Sequence, residues 1–401
     1  MDNKKSSRPN WSELNQDLLE LIVDKLSYVD ILRFKAVCTS WLAATERFSP
    51  GPLLILPSNQ ETDHREEHVR LGAFSVKDKT IHDLNLVVEK HEDLLLAYEG
   101  FRVLGSSHGW LVAENSSGLY LLNIFSRTCK ILPGKATIPA PQSFGPKFSL
   151  FHSPTIIRKA ILTSNPSLDD DYKVIIIYGL CENLAFCGFG DDEWKGFSDC
   201  EGYYDIVWYN MLLYTLRGGV NIEVWDFSDS CFPTKKMCIQ CSYSPNVCFQ
   251  RDVYSTQWYL VPSLGEILFI VRYIGEFVNN KGELLCEGDL TDEICPYKTF
   301  KFQVYKVDMI ERKLEQVKSL KDRVMFVGGN HGISVSAKDY QELEANSIYF
   351  TDDYLDRLHE DYSYGGHDFG LFRLKDENIG SIFELDISGR FEVAPFWVFP
   401  N

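Results

Sequence analysis

The sequence has no run of about 18 consecutive apolar residues, the length a membrane-spanning helix needs, so no membrane partner is expected. Its first residues, Met1-Asp2-Asn3-Lys4-Lys5-Ser6-Ser7-Arg8-Pro9, lead into a segment with Asp17, Glu20 and Asp24, which lacks the apolar stretch of a secretory signal. A cytoplasmic or nuclear location is expected, with the 11 cysteines reduced. Positive charge is also short: 40 lysines and arginines face 57 aspartates and glutamates, a net charge of -17. Residues 1–50 hold seven acidic and seven basic side chains, so the whole excess belongs to residues 51–401. That field repels phosphate backbones and argues against nucleic acid; it suits a basic protein partner or simply solubility.

Signatures of chemistry are missing as well. There is no G-x-S-x-G, and nothing Walker-like follows Gly328-Gly329-Asn330-His331-Gly332, which reads as a turn. Asp368-Phe369-Gly370 copies the magnesium-binding tripeptide of kinases without the Gly-rich loop, V-A-I-K strand or H-R-D loop that gives it meaning. Asp169-Asp170-Asp171 and Asp191-Asp192-Glu193 lack calcium-loop spacing and read as solvated turns. Cys231, Cys238, Cys241 and Cys248 have a symmetric, metal-like spacing. In a strand, however, Cys238 and Cys241 point to opposite faces, so no metal and no cofactor are expected.

What is present divides near residue 50. Before it the period is helical: Leu18, Leu19, Ile22 and Leu26 fall on one stripe behind Asn15, a good helix cap. Ser27-Tyr28-Val29-Asp30 has the form of a capping box opening a second helix, and a third short turn surrounds Trp41. So few residues make a poor core for so much apolar surface, which points to another protein as its cover.

After residue 50 the chain alternates strands and turns. His108 to Glu114 and Leu119 to Ile124 flank Asn115-Ser116-Ser117-Gly118, a hairpin by turn chemistry. Similar pairs follow at 173–178 with 184–189, 210–216 with 222–227, 266–271 with 302–308, and 347–352 with 369–374. One open sheet of so many strands would curl or split, so radial packing is expected. Segments near 53–88, 101–133, 157–199, 203–240, 257–317 and 324–385 give six blades, with the apolar run Val174 to Ile177 as an inner strand; a pair of β-sandwiches is the rival arrangement.

Trp11-Ser12-Glu13-Leu14, Asp17 to Ile22, and Asp30 through Trp41 with Arg33, Val37 and Cys38 resemble a plant-type F-box over residues 9–49, departing at Asn15, where proline is usual. Gly105-Ser106-Ser107-His108-Gly109-Trp110-Leu111, Leu132-Pro133, Ser347 to Asp352 and the Pro395-Phe396-Trp397 ending resemble the KIB-type, kelch-like β-propeller domain of plant F-box proteins, over residues 51–401. The resemblance implies a mainly β protein with a three-helix N-terminal module. It implies a noncatalytic substrate receptor of a Skp-cullin-F-box ubiquitin ligase: the F-box binds a Skp-type adaptor and through it cullin, and the propeller binds an unidentified target protein. Leu14, Leu18, Leu19, Ile22, Leu26, Ile31, Leu32 and Val37 would then supply apolar contacts to the adaptor, with Trp41 as an anchor. The same residues must also pack the helices together, so both uses are expected. The alternatives are a propeller-based enzyme or small-molecule-binding protein with its site in a central channel, and an F-box protein acting outside the ligase.

Overall fold

The computed structural model describes residues 11–26, 28–35, 37–45, 51–57, 69–77, 79–86, 101–140, 156–229, 232–243, 253–279, 281–290, 295–330, 332–354, 366–382 and 394–399. A 3-10 turn, Trp11–Glu13, precedes α1 (Gln16–Val23), α2 (Tyr28–Lys35) and α3 (Thr39–Ala44). Asn15 caps α1 through its side chain, which accepts from the Asp17 amide at 3.3 Å. The helix stops at Val23, so Leu26 lies in the turn beyond it, its amide bonded to the Val23 carbonyl. Ser27, the first residue of the expected capping box, lies outside the described residues. Leu19, Val23, Ile31, Phe34 and Ala44 form the helical core. No helix among the described residues is long and apolar enough to cross a membrane.

The β region forms six sheets, one per blade of a propeller. Blades 2, 3, 4 and 5 span 102–131, 157–196, 203–240 and 254–317, each with four strands running outward in chain order. Blade 1 takes Leu53–Pro57, Val69–Ser75 and Thr80–Leu86 from the start of the region and its inner strand, Phe396–Val398, from the other end. Ile55 pairs with Phe396 and Leu53 with Val398, which closes the ring. Blade 6, 323–380, has five strands, and its inner strand Ile333–Ser336 comes second in sequence. Consequently Arg323–Val327 runs parallel to Ser347–Phe350, the exception to antiparallel pairing among the described strands, with the loop after Ser336 as crossover.

One apolar cluster fills each gap between neighbouring blades, as where Ile175, Phe186, Ile206 and Trp225 join blades 3 and 4. This explains a departure from expectation. Val174 to Ile177 belong to the second strand of blade 3, because second and third strands are covered on both faces by neighbouring blades, whereas inner strands turn one face to the axis. The inner strand Arg102–Ser107 is accordingly only partly buried over most of its length.

Inner strands approach to backbone contact. A Cβ on Gly105 would fall 1.9 Å from the Ala160 carbonyl oxygen of blade 3, and one on Gly332 would fall 2.6 Å from the Leu260 oxygen of blade 5. Gly105→Ala must push two rigid strands apart, so it is expected to lower stability by about 2–3 kcal/mol, read as a fall in the urea midpoint at unchanged slope.

Candidate functional site

Two surfaces stand out, and the first lies on the helices. Leu18, Leu21 and Ile22 share one face of α1 by their i, i+3, i+4 spacing and are 50%, 61% and 37% exposed, while Leu19 and Val23 point inward. The helix therefore carries two apolar faces and buries one. Val37 is exposed as well. Of the other residues implied as adaptor contacts, Leu19 and Ile31 sit in the helical core, and Leu14, Leu26 and Trp41 pack against it. The side chain of Leu32, within α2, lies outside the described residues. Trp41 stacks on Phe34 with ring centroids 4.1 Å apart, and its Nε1 donates to the Trp11 carbonyl at 3.1 Å. Its ring and its polar atom are thus used within the module. Leu21 was legible as a neighbour of Leu18 on the helical wheel, and the exposed Trp11 and Leu42 as large apolar residues flanking the stripe; sequence reasoning left all three out of the contact set.

The second surface is one end of the propeller axis. A cavity of about 380 Å³ opens there, and every blade contributes to its wall, with Val398, Ser107, Leu162, Tyr209, Pro262 and Ile333 as one example from each of blades 1 to 6. One or two residues deeper along the same strands the lining becomes polar and closed. Lys159 of blade 3 pairs with Asp205 of blade 4, whose other carboxylate oxygen accepts from the Leu260 amide of blade 5 at 2.7 Å. Asn330 of blade 6 donates to Ser106 Oγ of blade 2 at 3.0 Å and to the Trp397 carbonyl of blade 1 at 2.8 Å. Lys159, Asp205 and Asn330 are all buried, so these bonds join six blades beneath an apolar cup.

Between blades 5 and 6 lies a buried charge cluster. Arg272, fully buried, donates to Asp353 Oδ1 at 2.8 Å, Asp368 Oδ2 at 2.9 Å, the Thr351 and Asp368 carbonyls and Thr299 Oγ1. Asp352 accepts from the Tyr297 hydroxyl at 2.7 Å. Burial, with the neighbouring Asp352 charge, pushes the Asp353 carboxyl up to about 6 against the pull of Arg272. Burial and Asp368 likewise raise Asp352. Three carboxyls around one guanidinium, its donors saturated, make a staple between blades rather than an open catalytic site. Asp368 of the kinase-like tripeptide belongs to this staple.

The other motifs resolve as local structure. Asn115 Oδ1 accepts from the Ser117 and Gly118 amides in the blade 2 hairpin. Asp169-Asp170-Asp171 and Asp192-Glu193 are exposed in turns, with Asp191 partly buried and bonded to Lys195. Cys238 is exposed within the strand Thr234–Gln240 and Cys241 is buried just past its end; Cys231 and Cys248 lie outside the described residues. Among the described residues no three His, Cys, Asp or Glu side chains are grouped to hold a metal.

A three-helix module with a spare apolar face, ahead of a closed six-bladed propeller with an axial cup, is the architecture of an F-box protein with a propeller binding domain. Residues 11–51 match the F-box domain, and residues 73–373 match the KIB1-4 beta-propeller. The chain belongs to the F-box proteins carrying a KIB1-4 β-propeller. Similar proteins from Arabidopsis thaliana include the F-box/kelch-repeat protein KIB1, 25% identical over 93% of this chain and 86% of the relative. They also include the F-box protein SKIP23, 25% identical over 96% and 91%, and the F-box protein KIB3, 25% identical over 85% and 71%. F-box domains generally bind Skp-type adaptors, F-box proteins of this kind are typically substrate adaptors rather than enzymes, and an F-box with a propeller fits a Skp-cullin-F-box substrate receptor in general.

Proposed function

We propose that this chain is the substrate-recognition subunit of a Skp-cullin-F-box ubiquitin ligase in the cytoplasm or nucleus. In this reading residues 9–49 bind the adaptor and residues 51–401 hold the protein to be ubiquitinated. The observation that carries the reading is the α1 face of Leu18, Leu21 and Ile22, a row of large aliphatic side chains left in water beside a helical core already complete. Such a receptor needs no acid, base or nucleophile of its own. It raises the effective concentration of a target lysine near a charged enzyme brought by other subunits.

The test is target turnover. Proximity labelling in cells with the full chain identifies candidate targets. A true target is expected to live about twofold longer or more when the chain is removed, and to regain its normal lifetime with the intact chain but not with a form unable to bind the adaptor. Lifetimes that ignore both manipulations for every labelled protein would overturn the ligase reading.

A further inference from the structure

The turns at the rim of the axial cup carry side chains that their geometry does not favour. Between its first two strands blade 4 turns through Asn210, at φ 49°, and Met211, at φ 61°; blade 5 turns through Leu264, at φ 51°, and Gly265, at φ 85°. A left-handed backbone suits glycine, asparagine and aspartate and penalises bulky side chains. Met211 is 75% and Leu264 76% exposed, so neither offsets that penalty by burial in the free chain. Away from this rim, the left-handed non-glycine residues among those described are polar or charged, as at Lys79, Arg127, Glu182 and Glu377, apart from the buried Val220. Leu168, in the corresponding loop of blade 3, is 85% exposed. All three follow closely on residues that line the cup: Leu162, Tyr209 and Pro262.

Exposed charge at the rim of blade 3 is mainly acidic, with Lys173 paired to Asp171 and Lys195 to Asp191 at the strand starts. Leu168 is followed by the exposed Asp169-Asp170-Asp171. The other turn at that end of the blade carries the exposed Phe189, Asp192 and Glu193. An apolar cup, apolar rim tips held at a conformational cost, and acidic runs beside them describe a complementary ligand in some detail.

We propose that the cup and its rim hold a segment of the target protein that inserts one large apolar side chain into the cavity and carries lysine or arginine next to it. This deepens the receptor reading above and rests on it. The cavity, at about 380 Å³, stands near the small end of ligand pockets of about 300–1,000 Å³, room for a single large side chain. The acidic runs steer a basic flank toward it and set its register.

The experiment pans a random peptide display library on the immobilised full-length chain, then measures binding of the enriched peptides to Met211→Gly, Leu264→Asn and the double variant. Each substitution gives the turn an Asn-Gly pair, the preferred sequence for this hairpin geometry, so melting temperatures are expected to hold or rise. The expected result is enrichment of peptides with an aromatic or long aliphatic residue beside lysine or arginine. Their affinity should fall about tenfold in the double variant and weaken as salt rises. Enrichment of peptides without that pattern, no enrichment at all, or equal binding by the double variant would overturn the proposal. Capture of a Skp-type adaptor by the same proteins is read in parallel. If the adaptor binds and peptide selectivity is absent, the rim proposal fails alone; if peptides bind as described and the adaptor is not captured, the fault lies with the ligase reading.

Discussion

Leu18→Asp combined with Ile22→Asp is expected to abolish capture of a Skp-type adaptor while leaving the melting temperature of the chain within a few degrees of its original value. Leu18 is half exposed and Ile22 more than a third, so in the free protein the new carboxylates reach water and α1 keeps its inner face of Leu19 and Val23. On docking, both charges would be forced into an apolar contact without partners, at a cost of several kcal/mol, enough to weaken binding by more than about a hundredfold. The reference variant is Leu19→Asp, which buries a charge in the helical core and is expected to lose adaptor binding together with the helical fold. Pull-down paired with circular dichroism separates the two outcomes. Normal adaptor capture by the double variant would remove this face from the interface.

Arg272→Met is expected to be the most damaging single change in the propeller, lowering stability at neutral pH by about 3–5 kcal/mol because it strands Asp352, Asp353 and Asp368 around an apolar side chain. The loss should depend on pH in a defined direction. Asp353 already titrates at about 6 in the folded chain, above its ordinary value of 3.8. A raised carboxyl pKa means that the folded state binds more protons than the unfolded one, so this group lowers stability as pH rises from about 4 through 6. Removing Arg272 removes the pull that restrains the shift, and the same loss extends to higher pH. The gap between variant and parent urea midpoints should therefore be wide at pH 8 and should shrink by about half or more at pH 5, where Asp352 and Asp353 take up protons. An equal gap at both values would mean that the shape of the guanidinium, not its charge, is what the staple needs.

How much of this was legible in the sequence depended on how far apart the interacting residues lie. The hairpin of Trp110–Glu114 and Leu119–Asn123 declares itself, since strand composition and an Asx turn at Asn115 sit side by side. Six blades follow from counting such units. The closing strand does not, because Phe396–Val398 is three residues long and its partner Ile55 stands at the other end of the β region. Its Pro395-Phe396-Trp397 was recognisable as an ending but not as a member of blade 1. The order of blade 6 was hidden for a related reason: a parallel pair bridged by a loop looks, in sequence, like another hairpin. The helical stripe was visible, yet periodicity alone put Leu18 and Leu19 together. Which of two adjacent leucines turns inward was decided by the packing of α1 on α3, on which one-dimensional pattern is silent. Arg272 gave no signal either, since its carboxylates lie 81 and 96 residues away and one of them was disguised in a kinase-like tripeptide. The axial cup, assembled from single residues of six blades, is legible only once the ring is closed.

Ring closure also sets a timetable for synthesis. About 340 residues separate Ile55 from Phe396, its partner across the seam, and at about 5–20 residues per second a ribosome takes roughly 20–70 s to cover that distance. Throughout that interval the nascent chain holds the Leu53–Pro57 edge without its neighbour, an apolar strand offering unpaired amides to any passing polypeptide. The helical module, made first and with its local contacts complete, can fold while the seam is still open. A newborn molecule thus acquires its three-helix module before it has a finished propeller, and a chaperone that covers the open edge until Phe396 arrives would keep half-made rings from joining one another.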